Sequence, residues 1–164
     1  KQFIAGSTGP GSNTGDFPQT LRTALGANIK IVSGYNGTAG ISRAVDSNEV
    51  MGGCWTWESM SVTQGKNLAD GSMVPLVQQG DEKIKELGGT PTAADLATSD
   101  INKKLILAIT TPTSISKSFT APPGVPAERL KALQDAFTKA WNDKDLLDEA
   151  KKAKIDVAPK KADR

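Results

Sequence analysis

Apolar and polar positions along the chain fall into two alternating rhythms. Residues 2–5 form a short extended run containing Phe3, Ile4 and Ala5, followed by the turn-rich stretch GSTGPGSNTG. Phe17, Leu21 and Leu25 then recur at i, i+4 and i+8, the spacing of one helical face. Residues 29–32 alternate as a second strand, the turn SGYNGTAG follows, and Ile41, Ala44 and Val45 restore helical spacing. Residues 50–57 read as a third strand, with 50–55 as its sheet portion, and residues 73–77 as a fourth. Repeated strand, loop and helix predict an α/β fold. Its parallel or mixed sheet is flanked by helices that begin near Ser12, Thr38 and Pro126.

The second half is less regular. Residues 78–104 are polar and glycine-rich around Gly88 and Gly89, and read as a surface excursion with a short helix at 92–97. Residues 105–110 are again apolar enough for a strand. The segment APPGVPAE is a strong helix start: Pro126 fits a first turn that needs no N–H there, and Glu128 favours the positive helix end. Leu130, Leu133, Phe137 and Trp141 continue at helical spacing, which makes Trp141 a core residue rather than a site residue. Asn142 and Asp143 break the pattern, and residues 144–154 form a last short helix before Pro159.

Composition narrows the chemistry. At 164 residues and 37% hydrophobic content the chain suits one compact domain. Its formal charge of +2 and 5% aromatic content disfavour a nucleic-acid partner. The clustered Lys151, Lys152, Lys154, Lys160, Lys161 and Arg164 read as a solvated tail. There is no histidine, which removes the commonest general base and metal ligand together. Cys54 is the single cysteine; it has no disulfide partner and sits in an apolar run, as a small core residue would. No metal or cofactor is expected, and no run approaches the roughly 20 apolar residues of a membrane-spanning helix. Lys1 leads straight into the first strand, as in a fragment or excised domain.

Two strand-to-helix loops carry the candidate site. Between residues 6 and 15, Ser7, Thr8, Gly9, Gly11, Ser12 and Asn13 precede a helix whose free N–H groups and dipole favour an anion. The glycines lack the Lys-Ser/Thr pair of a phosphate loop and the later acid of a dinucleotide fold. Ser12 or Asn13 as an ordinary helix cap is an equally good reading of this loop alone. The second loop repeats the arrangement with Tyr35, Asn36, Gly37 and Thr38, the last a candidate cap. Successive loops of this kind emerge on one sheet edge, where ligands collect. Neither loop holds Arg or Lys, so a bound carboxylate would rest on backbone N–H and hydroxyl donors. Trp55, Thr56 and Trp57 could wall in its carbon skeleton; one tryptophan is expected to be buried, and Trp57, past the strand end, is favoured for the site.

The stretches STGPGSNT, GYNGTAGISRAVDSNEV, GGCWTW, APPGVPAERLKALQDAFTKAW and DLLDEAKKAKIDV, in this order and spacing, resemble the receptor family of tripartite tricarboxylate transporters. The resemblance covers nearly the whole chain and matches the second lobe and carboxy-terminal segment of such receptors, with no counterpart of their amino-terminal lobe. It implies one lobe of a type II periplasmic-binding-protein-like fold: residues 1–104 as the ligand-closing lobe, and 105–164 as an interlobe-crossing strand with helices packed on the same domain. It also implies a periplasmic location, a di- or tricarboxylate ligand held by loop N–H groups and hydroxyls, and delivery to a membrane permease. The chain departs from the family where Glu49-Val50 is followed by Met51 rather than aspartate.

Two other classes compete. A carbon-centred enzyme could use Glu49, Glu58 or Asp81 as acid or base, although no spacing pairs these carboxylates. A stand-alone module with little ligand binding is the other; it would dimerise through apolar surface. Under any reading, the stripe of Leu130, Leu133 and Phe137 is expected to be covered, by this domain or by a second copy.

Overall fold

A computed structural model describes residues 1–80, 83–115 and 118–153, together with 155, 157 and 159. Asp81, Lys154, Lys160, Lys161 and Arg164, singled out above, lie outside the described residues. The chain divides into two compact units, Lys1–Lys117 and Ser118–Arg164.

The first unit is α/β. Strand β1 (Phe3–Ser7) is central in a three-stranded parallel sheet, between β2 (Ile29–Ser33) and β3 (Gly52–Gly53). Its pairing with β2 runs from Phe3 opposite Ile29 to Ser7 opposite Ser33; Ala5 and Gly6 face Gly52 and Gly53 of β3. Helix α1 (Asn13–Leu25) packs on β1 and β2, and α2 (Gly37–Asp46) on β1 and β3. Glycines set the closeness of this packing. A Cβ at Gly6 or Gly53 would lie 2.8 or 2.9 Å from the Ile41 side chain, and one at Gly52 would lie 2.8 Å from the Phe3 ring. Ile41 is fully buried as a result. Helix α1 ends where Gly26 turns left-handed at φ 65° and returns its N–H to the Leu21 carbonyl.

The expected third strand shrinks to two residues. Beyond Cys54, Thr56 caps helix α3 (Trp57–Thr63) by accepting from the Ser59 N–H, so Trp57 opens a helix instead of following a strand. Helix α4 (Gly65–Ala69) comes next. No strand forms at 73–77, where Pro75 offers no N–H to a ladder. Only Gln78 bridges to Thr92. The 92–97 segment is a set of turns rather than a helix, and it is not a surface excursion throughout, since Gln78, Thr92 and Ala93 are buried. The Gln78 side chain fastens this segment, donating to the Thr90 carbonyl and accepting from the Ile84 N–H.

Residues 105–110, expected as a crossing strand, belong to helix α5 (Asp100–Thr110) in the first unit. Ser99 caps it, and Ile106 and Thr110, one helical turn apart, are its buried residues. A six-residue apolar run does not distinguish strand from helix by periodicity; here the inward positions recur at i+4. Ile106 joins Ala24 and Ala93 in a small core to which Leu21, Leu25 and Val77 add.

In the second unit, α6 (Ala127–Ala140) starts directly after Pro126, and α7 (Lys144–Lys152) is capped by Asp143, whose carboxylate accepts from the Asp145 and Leu146 N–H groups. Phe119 packs on Phe137 at 4.6 Å between ring centroids, and Trp141 stacks beyond Phe137 at 6.3 Å. Trp141 is half-buried in this aromatic group. Along the α6 stripe Leu133 keeps 50% of its surface exposed.

Candidate functional site

Parallel pairing of β1 with β2 brings the two loops out side by side. The tie between them is specific: the Ser7 carbonyl accepts from both Gly34 N–H, at 3.1 Å, and Tyr35 N–H, at 3.2 Å. Ser7, Thr8, Gly9, Gly11, Ser12 and Asn13 therefore share one sheet edge with Tyr35, Asn36, Gly37 and Thr38.

Within the first loop the hydroxyls turn inward. Thr8 Oγ1, Ser12 Oγ and Thr14 Oγ1 form a triangle with sides of 2.9, 2.8 and 2.9 Å. Ser12 donates its proton to the Gly9 carbonyl at 2.6 Å, and the Thr8 N–H donates to Thr14 at 3.0 Å. With Thr8 donating to Ser12, the remaining Thr14 proton also falls inside the triangle. The buried Ser7 hydroxyl accepts the Gly9 N–H. The hydroxyls of Thr8, Ser12 and Thr14 thus make up much of the loop's own framework. Ser12 stands at the N-cap position of α1 without a side-chain cap bond, because its hydroxyl is engaged at Gly9.

Backbone donors remain. Among the described residues, no protein acceptor meets the N–H of Ser12, Asn13 or Thr14 at the start of α1, nor that of Gly37 or Thr38 at the start of α2. Asn36, not Thr38, holds the N-cap position of α2, also without a side-chain cap. Asn13 and Asn36 are exposed. Each uncapped helix start presents partial positive charge to the same edge.

Two acids border the loops. Asp16 in the first turn of α1 accepts the Gly11 N–H at 3.0 Å, occupying one donor of the first loop with the chain's own carboxylate. Glu49 accepts the Tyr35 phenol at 2.6 Å, which holds the phenol proton and raises the Tyr35 pKa above its ordinary 10.0. Asp16 and Thr14 are not among the candidate site residues read from the sequence, since their contacts depend on how the loop folds back.

Helix α3 lies against the second loop, with Ser59 Oγ 3.2 Å from Thr38 Oγ1. Trp57 rides on this helix; it and Trp55 are both half-buried, so neither is the fully buried core tryptophan expected. The Trp55 ring edge lies about the Gly53 backbone, and its Nε1 is enclosed without an acceptor among the described residues. The Cys54 residue is half-buried overall, yet its thiol is enclosed and burial pushes its pKa up to about 12. Among the described residues no group of three potential metal ligands converges. Of the acids weighed for an enzyme, Glu49 is engaged with Tyr35.

Compared with known proteins, the chain matches no family model, no characterised protein and no solved structure. Among the described residues no helix is long and apolar enough to cross a membrane.

Proposed function

We propose that this chain is a solute-binding domain of the kind its sequence resembles, the periplasmic receptor of a tripartite tricarboxylate transporter, taking a small carboxylated organic acid for a membrane permease. The observation that carries this reading is the adjacency of two uncapped helix N-termini on one sheet edge, joined through the Ser7 carbonyl. Their free N–H groups suit a carboxylate, and neither loop contains a cation that would select phosphate by charge. Affinity is weak on this reading: the edge is open to water, which weakens each hydrogen bond a ligand makes. A folded module with little ligand binding is the second reading, favoured by the inward-turned hydroxyls and by Asp16 on the Gly11 N–H.

Chemical-shift mapping with citrate and succinate separates the two. The expected result is saturable shifts at the amides of residues 11–14 and 36–38. Ser12→Asp should remove them by like-charge repulsion, with unchanged β1 and β2 amide shifts as the check that the fold survives loss of the bond to the Gly9 carbonyl; Ser12→Asn, neutral and able to donate there, should retain them. Shifts clustered elsewhere, or unaffected by Ser12→Asp, would overturn the two-loop site. No shifts with either acid would leave the ligand-poor module.

A further inference from the structure

We draw no further inference here: the strongest candidate, the exposed apolar stripe of α5 formed by Ile101, Leu105 and Ile109, is an unpartnered helix face and nothing in the structure shows what covers it.

Discussion

Gly15 has a chemical reason to be glycine that helix propensity alone would not supply. A Cβ there would stand 2.6 Å from the Gly9 carbonyl oxygen and 2.8 Å from Ser7 Oγ, inside the first loop. Replacing glycine by alanine within a helix ordinarily gains up to about 1 kcal/mol. At Gly15 the loop backbone has to shift, so Gly15→Ala should instead cost about 1–3 kcal/mol, the range for overpacking. Gly65 in α4 meets nothing within 4 Å, and Gly65→Ala should be neutral or mildly stabilising. Urea midpoints for the two variants check the contrast; equal midpoints would mean that the Gly9 carbonyl moves aside freely. Cys54 gives a second test at this scale. Its thiol pKa is raised from 9.0 to about 12 by burial, so the folded chain holds the proton more tightly than the unfolded one. The resulting contribution to stability is complete below about pH 9 and fades as pH rises toward 12. Native protein at pH 8 should therefore react with iodoacetamide at least about tenfold more slowly than urea-unfolded protein, because the thiolate is the nucleophile. Comparable rates would show an accessible thiol.

Helix α5 is the element whose nature the local pattern left open. The run Leu105 to Thr110 fits a strand by composition, but Ser99 and Asp100 before it are a cap and an acidic first turn, signals of a helix start. Packing then selects which side faces inward: Ile106, at 2% exposure, sits against α1, while Leu105 and Ile109 stay at 40%. Ile106→Ala should cost about 2–5 kcal/mol through lost burial and the cavity left behind. Leu105→Ala should cost well under half of that. Urea unfolding followed by tryptophan fluorescence in a Trp141→Phe background, which leaves Trp55 and Trp57, measures both, and equal losses would refute the assigned inward face. The starts of α1, α2 and α6 were each legible to within a residue or two from turn residues, proline and apolar spacing. The two-residue β3 was not, because the apolar run continues past it while the Thr56 cap starts α3 at Trp57.

Stability across the whole molecule should be uneven. Every buried hydrophobic residue among those described lies in the first unit, and neither α6 nor α7 has a fully buried residue. Helices of 14 and 9 residues are marginal in water without packing on an apolar face. Native-state hydrogen exchange should therefore find the strongest protection in β1, α1 and the buried turn of α5. Amides of α6 and α7 should exchange at least about a hundredfold faster, with local opening rather than global unfolding as their route. Protection of α6 equal to that of α1 would mean that its stripe of Leu130, Leu133 and Phe137 is covered in solution.

By itself the sequence determined the α/β class of the first unit, two of its strands, and the two glycine-rich loops that end in helix starts. Those features are local: period, turn chemistry and helix-start residues act over a few neighbouring positions. Tertiary structure decided the rest. It placed the loops side by side through strand pairing, turned Thr8, Ser12 and Thr14 toward one another, and put Asp16 on the Gly11 N–H. A hydroxyl's partner is chosen by the folded path of the backbone. Thr8 and Ser12, read along the chain as ligand donors, therefore join Thr14 in the loop's internal framework, and among the described residues the N–H groups of Ser12, Asn13 and Thr14 are left without a protein acceptor.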